Sequence, residues 1–173
     1  MITLDDLKAI CPLTKAGLLA LYVEPLSDAM REFNIDNPAR EAAFIAQIAH
    51  ESGCFRYVKE LASGQAYEGR HDLGNIQSGD GVRFKGRGLI QITGRTNYYQ
   101  CGNALGADLT ARPELLEQPG YACRSAAWFW ATHSCNELAD LGDFVRITRK
   151  INGGTNGLAE RIALHEKAQE VLA

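Results

Sequence analysis

Residues 37–53 have the sequence NPAREAAFIAQIAHESG, and this stretch predicts a helix with a clear start. Asn37 is a favourable N-cap and Pro38 suits the first helical turn. Gly53 is a favourable residue for ending the helix. Apolar residues at helical spacing predict its buried face: Phe44, Ile45, Ile48 and Ala49.

Glu51 lies on the apolar face of this predicted helix, seven residues after Phe44 and three after Ile48. Apolar surroundings and the negative C-terminal end of the helix both disfavour an ionised carboxylate. A carboxyl group that keeps its proton can act as a general acid on a leaving glycosidic oxygen. The alternative is a structural glutamate that pairs with an arginine such as Arg56 or Arg87.

Glu60 follows nine residues after Glu51, beyond a turn that contains a glycine. A chain reversal there would bring the two side chains to opposite sides of one groove. Glycoside hydrolysis requires two carboxyl groups in one cleft with different environments. Taken alone, Glu60 is equally well explained as a surface acid beside Lys59.

The segments on either side of this region differ in pattern. Helical spacing predicts two helical pieces in the first 36 residues and three helices at about 119–135, 143–151 and 157–172. Seven glycines between residues 62 and 88 predict loops. Residues 89–93 alternate like a short strand. The sum predicts an α+β fold, mainly α, with a loop-and-strand insert between helical halves.

The predicted strand places Gln91 and Thr93 on one polar face, and Asn97 follows on the next turn. These groups can orient water and bind the hydroxyl and acetamido groups of a sugar. The alternative is an edge strand with a solvated face. The glycine-rich run at 152–157 can likewise bring backbone close to a ligand, or it can simply connect two helices.

Composition excludes several other classes. A net charge of −3 argues against a nucleic-acid binder. Residues 1–8 lack the features of a signal peptide, and no apolar run is long enough to span a bilayer. We therefore expect synthesis in the cytoplasm. The five cysteines form no CxxC pair, which predicts free or buried thiols rather than a disulfide framework.

Metal-dependent chemistry has little support in the sequence. His50-Glu51 begins like a zincin motif, but Cys54 occupies the position of the second histidine, beyond Gly53. A peptidase built on Cys54 and a histidine is an alternative that nothing else in the sequence supports. We predict an enzyme without a metal or another cofactor.

Several segments together carry a family resemblance. AHESG at 49–53, then Glu60, then FKGRGLIQITGRTNY at 84–98 resemble, in this order, the signature of glycoside hydrolase family 19. Residues 126–130, 151–154 and 161–162 also resemble family positions. The family includes plant-type chitinases and the lysozyme-like endolysins of bacteriophages. The resemblance covers roughly residue 38 to the C-terminus.

The resemblance implies one catalytic domain over residues 1–173, lysozyme-like and two-lobed, with a small β element lining the cleft and no separate binding module. It implies inversion at the anomeric carbon. Glu51 matches the general acid, Glu60 the general base, and Thr93 the Ser or Thr that helps to hold the catalytic water. The remaining matches are positions that contact sugar or support the glutamates: His50, Gln91, Asn97, Asn152 and Arg161.

The short spacing of the two glutamates resembles the endolysins more than the plant chitinases, and Asn156 stands where chitinases have an acidic residue. The resemblance therefore implies a monomeric, bacteriolytic muramidase that cuts β-1,4 bonds of peptidoglycan glycan strands. It implies no nucleic-acid partner and no stable membrane insertion. Such an enzyme waits in the host cytoplasm and reaches the wall in the periplasm after release.

Two other functions are consistent with the sequence. A chitinase of the same fold would differ only in substrate. A non-catalytic wall-binding module would bind peptidoglycan without cutting it, and the presence of both glutamates argues against that class.

Overall fold

The computed structural model describes residues 1–173 and contains nine α-helices. Three short 3₁₀ turns lie at Gln65–Tyr67, His71–Leu73 and Pro113–Glu117. The helices are α1 (Leu4–Ile10), α2 (Ala16–Glu32), α3 (Pro38–Glu51), α4 (Asp80–Arg83), α5 (Arg95–Leu105), α6 (Pro119–Thr132), α7 (Cys135–Asp140), α8 (Phe144–Asn152) and α9 (Leu158–Leu172). The mainly helical fold predicted from the sequence is confirmed.

The predicted strand at residues 89–93 is wrong. The chain instead makes a tight turn, in which the N–H of Arg87 donates to the carbonyl of Ile92 at 3.2 Å and the reverse bond is 2.8 Å long. Gly88 has a φ of 97°, which turns the chain where a strand would continue. Leu89 and Ile90 are both buried, so their side chains do not alternate between core and solvent. An alternating run forms a strand only where a partner strand accepts its backbone hydrogen bonds.

Helix α3 begins and ends close to its predicted bounds. The side chain of Asn37 caps it by accepting a hydrogen bond from the N–H of Arg40 at 2.9 Å. Every residue from 42 to 49 is buried, so the helix is enclosed on all sides rather than on the single face that was predicted. Its largest helix partner is α9. Glu51 is therefore held at the end of a fully enclosed helix.

Two groups of buried apolar side chains stabilise the fold. The larger one joins α1, α2, α3 and α6 with parts of α7, α8 and α9. The smaller one lies around α5, a helix that the sequence analysis missed, and contains Phe84, Ile92, Tyr98, Cys101, Leu105, Leu109 and Leu116. The buried residues of α5 do recur at helical spacing, at 98, 101, 102 and 105.

All five cysteines are free thiols, as predicted, and only Cys54 is partly exposed. No helix has both the length and the apolar content that a membrane-spanning segment needs.

Candidate active site

Glu51 is the last residue of α3, and its side chain is 25% exposed. Its Oε1 accepts a hydrogen bond from Nη2 of Arg161, whose side chain is only 2% exposed. The same guanidinium donates from Nη1 to Gln47 Oε1 at 2.5 Å and from Nε to the carbonyl of Asn156 at 3.1 Å. Arg161 thus fixes Oε1 of Glu51 and leaves Oε2 as the oxygen that can carry a proton.

Further hydrogen bonds tie this group to α8. Gln47 Nε2 donates to Thr148 Oγ1 at 2.8 Å, and that hydroxyl donates to the carbonyl of Phe144 at 3.1 Å. Asn152 Nδ2 donates to the carbonyl of Asn156 at 3.1 Å, which also accepts from Arg161. The structure therefore brings Arg161 and Asn152 into one hydrogen-bond network. Arg161 contacts Glu51 directly, and Asn152 holds the loop between α8 and α9.

The arginines named as alternative partners of Glu51 lie elsewhere. Arg56 donates to the carbonyl of Gly53 at 2.6 Å, and Arg87 pairs with Glu117 at 2.8 Å. The partner is instead a residue 110 positions away in the sequence. Glu51 is thus paired with an arginine, as the structural interpretation requires, and it is at the same time partly open to solvent.

The chain reverses directly after α3 through three consecutive residues in the left-handed region. Residues 53–55 have φ values of 57°, 59° and 65°. This conformation is uncommon for non-glycine residues and is costly for a bulky one such as Phe55. Two hydrogen bonds hold it: Ser52 Oγ accepts from the N–H of Phe55 at 2.8 Å, and Thr14 Oγ1 donates to the carbonyl of Cys54 at 2.9 Å. The turn directs the chain from Glu51 towards Glu60.

Glu60 is held at one carboxylate oxygen and free at the other. The hydroxyl of Tyr67 donates to Oε2 at 3.0 Å. Burial and this contact raise the pKa of Tyr67, so the phenol remains a donor. Oε1 is buried and has no hydrogen-bond partner in the protein, the only side-chain atom of which this is true. A buried carboxylate oxygen without a protein partner needs another hydrogen-bond donor, such as a water molecule.

The side-chain ends of Gln91 and Glu60 meet beside the backbone of Gly86. The N–H of Glu60 donates to the carbonyl of Gly86 at 3.0 Å. A Cβ atom at position 86 would lie 2.5 Å from Gln91 Oε1 and 2.8 Å from Glu60 Oε2. Only glycine leaves both side chains in place.

Gln91, Thr93 and Asn97 line one pocket of about 380 Å³, although no strand positions them. Asn97 Nδ2 donates to the carbonyl of Thr93 at 2.7 Å, which fixes the turn that presents Thr93. The opposite wall of this pocket was not predicted from the sequence. That wall contains Trp128, Phe129, Thr132 and His133. Phe129 and His133 stack with ring centroids 3.9 Å apart, four residues apart on the helix end.

His50 precedes Glu51 and is mostly buried, with Nδ1 3.8 Å from Glu160 Oε2. Burial and the charge of Arg161 lower its pKa, so the ring is neutral at neutral pH. Gly157 packs closely on the ring, since a Cβ atom there would lie 2.5 Å from Cε1 of His50. The ring lies beside the Glu51 network, and its role in sugar binding stays a prediction.

Gly86→Ala should lower turnover strongly, because the added methyl group displaces both Gln91 and Glu60. We expect a loss of at least ~10²-fold, the usual scale of a general acid–base contribution, measured as release of reducing ends. Gly120→Ala is the matched control, since a Cβ atom there meets nothing within 4 Å. Equal activity of the two variants would show that Gly86 does not position the pair.

Thr93→Val keeps the shape of the side chain and removes the hydroxyl that is expected to hold the catalytic water. We expect a lower kcat with little change in KM, because the lost interaction forms mainly in the transition state. Thr93→Ser should be mild. A raised KM with an unchanged kcat would instead assign Thr93 to substrate binding.

No three side chains of His, Cys, Asp or Glu lie close enough together to hold a metal ion. We expect full activity after prolonged dialysis against EDTA. Loss of activity with EDTA and recovery with zinc would contradict the acid–base mechanism.

Sequence comparison identifies relatives of this chain. The family model of glycoside hydrolase family 19, described as chitinase class I, matches residues 34–139. A family 19 domain-containing protein of Haemophilus influenzae is 33% identical over 160 residues, covering 75% of this chain and 78% of that protein. An endochitinase of Arabidopsis thaliana is 39% identical over 114 residues. That match covers 65% of this chain but only 38% of the plant protein.

Solved structures agree with the sequence matches. Chitinase C from Streptomyces griseus superposes on 99% of this chain, over 76% of its own length, with a TM-score of 0.78 and 26% identity. A bacterial family 19 chitinase superposes with a TM-score of 0.80 and 23% identity, over 99% of this chain and 95% of that one. The family match and the shared fold agree. The chain belongs to glycoside hydrolase family 19 and is a glycoside hydrolase.

Proposed function

We propose that this enzyme hydrolyses β-1,4 bonds of bacterial peptidoglycan by an inverting acid–base mechanism, as an endolysin-like muramidase. The observation that carries the mechanism is the contrast between the two glutamates. Arg161 holds one oxygen of Glu51, whereas Glu60 keeps one buried oxygen without a protein partner. Two carboxyl groups with different environments are suited to opposite roles.

In this mechanism Glu51 donates a proton from Oε2 to the glycosidic oxygen as the bond to the anomeric carbon breaks. Glu60 Oε1 removes a proton from a water molecule that attacks the opposite face of the sugar. Tyr67 holds the other oxygen of Glu60, and Thr93 is expected to share the water. An inverting enzyme needs roughly 6.5–9.5 Å between its carboxyl groups to admit that water.

Peptidoglycan differs from chitin by the lactyl group and peptide on alternate sugars. An enzyme that cuts it therefore needs an open substrate cleft. One feature of the surface supports a glycan substrate. Tyr57 and Leu61, on either side of Glu60 in the sequence, are 51% and 90% exposed and offer apolar surface to sugar rings.

A chitinase is the second candidate, and the plant and bacterial chitinases among the relatives favour it. It requires the same acid and base but a substrate with N-acetylglucosamine in every position. The two proposals differ only in what the sugar subsites accept.

On the muramidase proposal the enzyme acts as a monomer on the wall, with no nucleic-acid partner. It is made in the cytoplasm and reaches the wall once the membrane has been opened.

Mass spectrometry of fragments from purified sacculi tests the proposal. We expect soluble muropeptides with N-acetylmuramic acid at the reducing end and none with the Glu51→Gln variant. If the enzyme cleaves chitohexaose and leaves the sacculi uncut, the result would support the chitinase. Binding to sacculi without new reducing ends would indicate a wall-binding module. Proton NMR of the first anomer released tests inversion, and retention of configuration would overturn the mechanism.

A further inference from the structure

One buried asparagine holds the segment that follows Glu60. Asn75 is fully buried, although it lies in an irregular stretch before α4. Its Nδ2 donates to the carbonyl of Tyr67 at 2.9 Å, and its Oδ1 accepts from the N–H of Arg95 at 2.9 Å. Its own N–H donates to the carbonyl of Arg70 at 3.1 Å. A buried amide side chain that is hydrogen-bonded at both ends fixes the two segments that it joins. Asn75 therefore ties Tyr67 to the first residue of α5.

Tyr67 depends on this tie because its own element is short. It ends the 3₁₀ turn Gln65–Tyr67, in which the two preceding residues are exposed. Such a turn makes few hydrogen bonds of its own. The next residue, Glu68, is anchored by its side chain, whose two oxygens accept from the N–H of Gly79 at 2.7 Å and of Gly81 at 2.8 Å. Contacts with more distant residues therefore hold Tyr67 in place.

The start of α5 also presents Thr93. This residue lies two positions before Arg95, and its carbonyl accepts from Nδ2 of Asn97 at 2.7 Å. Asn75 thus ties Tyr67 to the same short stretch of backbone. The two groups that are expected to share the catalytic water, Glu60 and Thr93, are therefore both positioned from the start of α5.

We infer that Asn75 is a positioning residue of the general base, which it orients through Tyr67. The inference rests on the proposed function, in which Glu60 Oε1 takes a proton from water. Oε1 has no partner in the protein, and the hydroxyl of Tyr67 donates to Oε2 at 3.0 Å. A shift of that hydroxyl therefore turns the whole carboxylate and moves Oε1.

Tyr67→Phe removes only the hydroxyl and tests the last contact of this chain. We expect a kcat lower by roughly 10–100-fold with an unchanged KM, because a misplaced catalytic group affects the transition state more than substrate binding. Release of reducing ends from sacculi measures both constants, and chitohexaose serves if sacculi are not cut. Tyr99→Phe is the matched control, since Tyr99 is 60% exposed. Equal kcat values for the two variants would overturn the inference.

Asn75→Asp keeps an oxygen for the N–H of Arg95 and loses the donor to the carbonyl of Tyr67, whereas Asn75→Ala loses both. Each should lower kcat and leave KM unchanged. Asn136→Ala is the control for lost stability, because Asn136 donates to two backbone carbonyls outside the site. It should keep a normal kcat. A normal kcat in both Asn75 variants, or failure of both to fold, would assign Asn75 to stability alone.

The double variant Tyr67→Phe/Asn75→Ala distinguishes one chain of contacts from two independent effects. If Asn75 acts through the hydroxyl, adding Asn75→Ala to Tyr67→Phe should lower kcat by less than about 2-fold. Losses that multiply would overturn the inference.

Glu60→Gln shows whether the inference or the proposed function has failed. An inactive Glu60→Gln together with a normal Tyr67→Phe contradicts the inference alone. An active Glu60→Gln contradicts the proposed function.

Discussion

Glu51→Gln and Glu60→Gln are each expected to lower turnover on sacculi by at least ~10²-fold. Both changes keep the shape of the side chain. Glutamine at position 51 still offers an oxygen to Arg161 but has no proton to donate to the leaving oxygen. Glutamine at position 60 still accepts from Tyr67 but cannot remove a proton from water. Release of reducing ends measures the loss.

The matched control is Glu24→Gln, a change of the same kind at an exposed position of α2. It should keep normal activity. Circular dichroism and the melting temperature distinguish lost chemistry from lost folding. Near-normal lysis by either active-site variant, with the control also active, would remove that glutamate from the mechanism.

Arg161→Met is expected to lower the free energy of unfolding by about 3–5 kcal/mol, the usual result when one partner of a buried ion pair is removed. The variant loses hydrogen bonds to Glu51, to Gln47 and to the carbonyl of Asn156. For a chain of this length the loss corresponds to a melting temperature lower by about 10 °C. Arg161→Lys should be intermediate, since one ammonium group cannot reproduce the planar array of donors.

Arg124→Met is the control for stability. Arg124 pairs with Glu32 at 2.6 Å, but both side chains are about one-third exposed. Exposed pairs contribute within about 1 kcal/mol. If Arg161→Met lowers the free energy of unfolding no more than the Arg124→Met control does, the buried network does not stabilise the fold. If it is unstable but fully active at low temperature, Arg161 does not orient the acid.

Sequence features that act within one or two helical turns predicted the local structure correctly. The cap at Asn37, Pro38 and the apolar spacing predicted α3, because each acts within one or two turns of helix. Residues 89–93 were predicted as a strand because alternation was taken as sufficient, but this stretch folds back on itself through the pairing of Arg87 with Ile92. Helix α5 was missed because its polar residues and surrounding glycines resemble a loop.

In the candidate site, too, contacts between residues close in sequence could be predicted, whereas contacts between distant residues could not. Gln91, Thr93 and Asn97 reach one pocket because they are close in sequence, the first two before α5 and Asn97 in its first helical turn. The guanidinium that contacts Glu51 lies 110 residues away, and no periodicity links the two positions. Nearby Arg56 and Arg87 were named as partners, and both are engaged elsewhere. The buried, unpartnered oxygen of Glu60 depends on tertiary packing and could not be predicted from residue types.

On the proposed mechanism, the docking of α9 on α3 also sets when the enzyme can become active during its synthesis. Glu51 leaves the ribosome 110 residues before Arg161. At about 5–20 residues per second, this interval lasts roughly 5–20 s. Throughout it, Glu51 and Gln47 both lack Arg161, and Gln47 also lacks Thr148 until that residue has been made. A nascent chain therefore brings Glu51 and its arginine together late, so hydrolytic competence is expected only once the last helix has been made.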